Sequence, residues 1–340
     1  MTSTLTTHSP RRSGWRRAAA LTVAAAAAVT LAACSSSSSG GGTGGSGSGD
    51  TGGSGSGSGS LPGAGKPTFV LGDKNFSEEY LLGDMYQQAL ELEGYKVSLK
   101  PNLGSSEIAD KLLGAGKIDG LPEYTGVIYT ELADLGDQPK SAAVTLKGAT
   151  AYEKKKGVSV LNPTPFQDKD GVAVTKSYAA QHHLSKSIGD LKSVGSFTYG
   201  GPPENRTRYQ GVVGLKKAYG LNQIQFKPLS IGSQYTALDE GKVDTIAIFT
   251  TDGQLASGKY VVLPDTKGIF GFQQVVPIIR TAKLKQMGPA FPKILNNLDA
   301  LLTTKAIIAL NKAVQVDKQD PATVAKAFVD QNKSAITAGV

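Results

Sequence analysis

Two cations and two aromatic residues stand at comparable places in two stretches of this chain, and their chemistry is that of gripping a small charged molecule. Lys74, in GDKNFSEE, and Arg206 or Arg208, in ENRTRYQG, each follow a short apolar run and precede a helical pattern. A helix amino terminus offers unpaired N–H groups and the positive end of the macrodipole, so a Lys or Arg beside it makes an anion site; the bland alternative is a solvated surface cation. Tyr124 and Phe249 end two other apolar runs, where an aromatic ring either closes a core or faces a ligand at the carboxyl end of a strand. Groups for covalent chemistry are scarce. The histidines are His8, His182 and His183, the single cysteine is Cys34, and no metal-ligand cluster, G-x-S-x-G elbow or phosphate loop occurs. Carboxylates are plentiful, which leaves a carboxylate-dependent hydrolase as the one catalytic class still open.

The elements that must position these residues occur twice. GKIDGLPEYTG, Gly116 to Gly126, returns as GKVDTIAIFTT, Gly241 to Thr251, at an offset of 125 residues that puts Asp119 on Asp244 and Tyr124 on Phe249. Upstream, FVLGDKNFSEE from Phe69 answers FTYGGPPENRTRY from Phe197, and Gly94, Lys100-Pro101 and Gly104-Ser105 answer Gly220, Lys227-Pro228 and Gly232-Ser233. Each copy reads as a helix feeding a parallel strand, so the chain is expected to hold two similar α/β halves.

Residues 1–33 have the pattern of an export signal: Arg11, Arg12, Arg16 and Arg17, then an apolar run from Ala18 to Ala32. The ending Leu31-Ala32-Ala33-Cys34 resembles a bacterial lipoprotein signal, which implies that Cys34 becomes a lipidated amino terminus on the outer face of the cytoplasmic membrane. Residues 34–66 are almost all Ser and Gly, a coil with a reach of roughly 30 Å that serves as a tether. The formal charge of +8 includes four signal arginines, leaving +4 beyond them, and no basic, aromatic-rich stripe marks a nucleic-acid binder.

Residues 67–340 are long enough for two α/β lobes with proper cores. Strands are expected at Phe69–Leu71, Val97–Leu99, Ile118–Leu121, Val158–Leu161, Val172–Thr175, Phe197–Tyr199, Ile224–Phe226, Thr245–Ile248 and Gln274–Ile279. Helices are expected at Ser77–Glu93, with Ser77 as N-cap, and at about Ser106–Leu113, Val127–Leu132, Ala142–Lys155, Thr207–Ala218, Tyr235–Glu240, Met287–Leu302, Ile307–Val316 and Pro321–Gln331. NPTPFQDKDG, Asn162 to Gly171, reads as a crossing segment. Lobe 1 is then about 67–166 plus 276–340, and lobe 2 about 167–275, a hinged two-lobed arrangement.

GDKNFSEE, PEYTG, ENRTRYQG, IFTTDG and QQVVPIIR, in this order, resemble the glycine betaine, choline and carnitine binding proteins of osmoprotectant ABC importers. The resemblance covers essentially all of Pro67 to Val340 and implies a two-lobed periplasmic-binding-protein fold that closes on a quaternary amine. It implies a carboxylate grip by Lys74 and Arg208 and aromatic box walls at Tyr124 and Phe249. Two walls differ: the family's tyrosines fall at Asp170 and Gln273, unless Phe272 takes the second place, and a threonine of the carboxylate site is Val127. An acidic Asp170 favours an ammonium that retains N–H donors. The expected partners are a small solute, an ABC permease with its ATPase, and the membrane through the lipid anchor. The protein is expected to act as a monomer without cofactor, metal or nucleic acid. A two-lobed sensor that delivers nothing is the competing class, and a carboxylate enzyme the third.

Overall fold

A computed structural model of the protein describes residues 60–135 and 138–340. The expected signal, Cys34 and most of the Ser/Gly tether lie outside the described residues. Ten strands form two five-stranded sheets. The first is built from β1 (Phe69–Gly72), β2 (Val97–Lys100), β3 (Gly120–Tyr124) and β4 (Val158–Val160). The second contains β5 (Asp170–Thr175), β6 (Phe197–Gly201), β7 (Ile224–Pro228), β8 (Thr245–Phe249) and β9 (Tyr260–Leu263). The chain then returns as β10 (Val275–Arg280) to the first sheet. The orders are β2-β1-β3-β10-β4 and β7-β6-β8-β5-β9, which are the same plan with β10 and β5 in equivalent antiparallel places.

The sequence repeat has a physical counterpart in this plan. Asp119 accepts a hydrogen bond from the Val70 backbone at 2.9 Å, and Asp244 one from the Thr198 backbone at 2.7 Å. In each lobe, then, the aspartate before β3 or β8 holds the start of the equivalent strand, β1 or β6. Gly116 and Gly241, one helical turn's end in each copy, both adopt left-handed φ (68° and 65°), which glycine reaches without a Cβ clash.

The first lobe's core joins the helix Ser77–Glu91 to the carboxyl-terminal helices: Leu82, Met85 and Tyr86 pack with Phe291, Ile294 and Leu298. Each such side chain, fully buried, is worth about 1.5–3 kcal/mol. The second lobe's core centres on Val172, Tyr199, Leu215 and Ala247. Between the lobes, the crossing segments pair at Gln167 and Gln274, with Asp168 N–H donating to the Gln273 carbonyl at 3.0 Å.

Several expected elements differ in detail. The first helix begins at Ser77 with Phe76 as its extended N-cap residue, one position earlier than expected. The single helix expected over Thr207–Ala218 is broken: a short 3-10 turn at Pro203–Arg206, a wide π turn at Tyr209–Val213 and an α-helix at Gly214–Tyr219. The cause is Gly211, whose φ and ψ of −136° are not helical. This break leaves Arg208 extended between two turns (φ −73°, ψ 147°). The helix expected from about Met287 to Leu302 is found at Ala290–Leu301, and a separate helix that was not expected, Thr281–Met287, precedes it across Gly288-Pro289. Strand β9 was not expected and pairs with β5. The last residues of the expected tether are already tied to the folded domain, where Gly63 N–H donates to the Glu93 carbonyl at 2.8 Å.

Candidate functional site

The six side chains expected to meet a ligand, Lys74, Tyr124, Asp170, Arg208, Phe249 and Gln273, all line one cleft between the lobes. Phe76, Ser106, Asp168 and Glu204 line it too. Its free volume is about 40 Å³, room for a few waters or one compact head group. Tyr124 and Phe249 reach it because they end β3 and β8, the equivalent strands of the two sheets. Phe76 comes from the turn that starts the first helix and lies between them. Its ring is 6.1 Å from Tyr124 and 5.3 Å from Phe249, at 28° and 25°, so the stack runs from one lobe to the other.

Lys74 does not stand ready for a ligand carboxylate. Its buried ammonium pairs with Glu123, lies 3.4 Å from Glu79, donates to Ser106 at 3.2 Å and sits 4.5 Å from the Tyr124 ring centre. Burial pushes the Glu79 carboxyl well up, with the Lys74 charge opposing and Glu123 and Asp73 adding to it. Tyr124 is held by its hydroxyl, which donates to Glu78 at 2.7 Å.

Arg208 is likewise engaged. Its Nε and one terminal NH₂ donate to the two oxygens of Glu107, each at 2.9 Å, across the cleft. Burial works against the ionised Glu107, but the guanidinium's hydrogen bonds and charge outweigh it and hold the pKa at about 2. The carboxylate grip expected of Lys74 and Arg208 is therefore filled by the protein's own acids. Of the two arginines left open by the sequence, Arg206 is exposed and lies over Phe226 at 5.0 Å, so it is Arg208 that lines the cleft.

Asp170 opens β5 opposite Phe249. Burial pushes its pKa up to about 7, against the Arg208 charge and helped by Glu131 and Glu204. Asp168 accepts from Thr251 N–H at 3.1 Å, and burial with the Glu78 and Asp252 charges raises it well above the usual carboxylate range. Gln273 is a wall with no free amide: it accepts from Val127 N–H at 3.2 Å and donates to Gln210 at 2.8 Å, and Gln210 donates to Thr130 at 3.1 Å. Gln210 thus ties the second lobe to the first. Phe272 does not line this cleft; its ring carries Lys169 at 4.9 Å beside a neighbouring surface hollow.

The model of the substrate binding domain of ABC-type glycine betaine transport systems matches residues 67–331. The chain belongs to this family. It is 28% identical over 280 residues to a glycine-betaine-binding protein of Pseudomonas aeruginosa, covering 78% of this chain and 88% of the relative. It is 27% identical over 264 residues to an ergothioneine transport permease/ergothioneine binding protein of Helicobacter pylori, 77% of this chain and 47% of that longer protein. A crystal structure of a glycine betaine/carnitine/choline ABC transporter superposes with a TM-score of 0.63 at 26% identity, covering 78% of this chain and 99% of that one.

The family and the two-lobed α/β fold are those the motifs implied. As a member of the glycine betaine transport family, the protein is the extracytoplasmic, solute-binding component of an ABC importer that works with a membrane permease. The family is one of substrate-binding domains of ABC-type transport systems. Among the described residues no helix is long and apolar enough to cross a membrane, and no cluster of three or more His, Cys, Asp or Glu is arranged for a metal. The sequence reading singled out neither Phe76 nor Asp168, which line the cleft, nor Glu107, which holds Arg208. Phe76 lay within the quoted GDKNFSEE, Asp168 lay in the crossing segment, and Glu107 gave no signal beyond an acid in a helix's first turn.

Proposed function

We propose that this family member captures a compact cationic or zwitterionic solute of the quaternary-amine class, such as glycine betaine, choline or carnitine, or a relative that keeps N–H donors. The observation that carries the reading is the aromatic stack of Tyr124, Phe76 and Phe249 beside Asp168 and Asp170, in a cleft that both lobes contribute to. A cation over an aromatic face gains roughly 1–2 kcal/mol when desolvated, and adjacent carboxylates add charge and acceptors. The domain works as a monomer on a tether, held at the outer face of the cytoplasmic membrane by lipid on Cys34. One acyl chain anchors only marginally, so the cysteine carries at least two. Calorimetric titration of the purified protein with glycine betaine, choline, carnitine, ergothioneine and their N–H-bearing analogues tests the ligand class. Micromolar or tighter binding of at least one supports it, and no binding by the whole panel defeats it. Loss of the protein from the membrane fraction in Cys34→Ala tests the anchor, and retention there refutes it.

A further inference from the structure

We propose that Glu107 sets the ligand class of the cleft: it gives Arg208 a carboxylate from the protein itself, so the preferred solute is an ammonium compound without a carboxylate, of the choline type. The inference rests on the quaternary-amine reading above and concerns the end of the ligand that the aromatic stack does not touch.

Four observations support it. Arg208 presents its guanidinium fork to both oxygens of Glu107 at 2.9 Å, the bidentate geometry in which arginine binds a carboxylate most strongly. Ser105 Oγ donates to Glu107 at 2.5 Å and helps fix it there. Lys74, the other cation of the cleft, is already enclosed by Glu123, Glu79 and the Tyr124 ring. The charged lining groups that remain are acids: Asp168, Asp170 and Glu204.

The energetic consequence differs sharply between two solutes of nearly equal size. A betaine carboxylate must either take Arg208 from Glu107 or share the guanidinium through its remaining N–H donors, and in both cases it lies beside the Glu107 carboxylate with Asp170 and Glu204 close by. Like charges crowded at one guanidinium disfavour each other. An alcohol makes no such demand, because it brings no second anion to the guanidinium. Exclusion is incomplete, because the Glu107 side chain is 38% exposed against 13% for Arg208 and can swing toward solvent. A discrimination of about one to two decades is therefore expected.

A contact that merely closes the lobes would affect every solute alike, so the ratio of affinities is the decisive reading. Choline and glycine betaine share the trimethylammonium group and are titrated calorimetrically, at pH 8, into wild-type protein, Glu107→Gln and Glu107→Asp. Wild type is expected to bind choline at least tenfold more tightly. Glu107→Gln should shift the ratio of the two affinities toward glycine betaine by tenfold or more, whatever the common change in both. Glu107→Asp, which keeps the charge on a shorter arm, should keep choline ahead. A wild type that prefers glycine betaine, or a Glu107→Gln protein in which both affinities move together, overturns the proposal while leaving the ligand class intact. Binding of neither compound by wild type defeats the quaternary-amine reading and this inference with it.

Discussion

Removing the ring of Phe76 tests whether the aromatic stack both closes the lobes and holds the cation. Phe76 stacks on Tyr124 within its own lobe and on Phe249 in the other. The first pair exists whether the cleft is open or shut and cancels from the binding equilibrium. Only the contact with Phe249, at 5.3 Å, is gained on closure, and such a pair is worth about 0.5–1.5 kcal/mol. A ligand ammonium over the ring adds about 1–2 kcal/mol. Phe76→Ala should therefore lose about 1.5–3.5 kcal/mol of binding, roughly ten- to several-hundred-fold. Phe76→Leu keeps much of the apolar bulk without the ring's charge distribution and should fall between. Because the sole tryptophan is Trp15, in the expected signal, calorimetry is the assay, with thermal unfolding as a check on the fold. Phe76 is only partly buried, so the melting midpoint should move little. A Phe76→Ala protein that folds and binds the best ligand within threefold of wild type would refute the reasoning.

Two further outcomes follow from named groups. Asp170, lifted to about 7 by burial against the pull of Arg208, is mostly protonated at pH 6 and ionised at pH 8. A cationic solute competes with that proton, so choline affinity should rise by about tenfold over the interval and the slope should flatten in Asp170→Asn. The same raised pKa means that this group's contribution to stability is full below about pH 4 and is lost as pH rises through about 7. Binding that weakens with rising pH would remove Asp170 from the cation's surroundings. Asp119→Ala and Asp244→Ala each leave a strand N–H without its carboxylate, and each should lower unfolding free energy by about 1.5–3 kcal/mol in denaturant titrations. A loss below about 0.5 kcal/mol at both would show that the repeated aspartate does not hold the first strand.

The repeat made much of the strand plan legible, because weak apolar runs in one half were supported by counterparts 125 to 128 residues away in the other. Helices with strong end signals were legible too, as at Asp320-Pro321, where Asp320 caps Thr323 N–H at 2.9 Å. The segment around Arg208 was not, because its break depends on Gly211 fitting against Asn205 and Gly214 against Tyr209, contacts that a helical periodicity cannot reveal. The six cleft residues came from motif positions, yet their electrostatic partners did not. Glu107 and Arg208 are 101 residues apart on different lobes, and nothing in either local pattern links them. Gln273 was expected as a polar partner for the ligand, but its amide serves Val127 and Gln210, a use that only the closed packing of both lobes creates.

The placement of β10 has a consequence for how the chain is made. This strand lies inside the first sheet, between β3 and β4, yet it follows the whole of the second sheet in sequence. A chain emerging from its amino end therefore completes the second lobe first, since β5 to β9 are contiguous. Until Arg280 and the helices after it emerge, β3 presents an unpaired apolar edge, and β4, which pairs only with β10, has no sheet to join. Such an edge is a place where another strand can pair wrongly. The lobe that begins the chain must wait for its end.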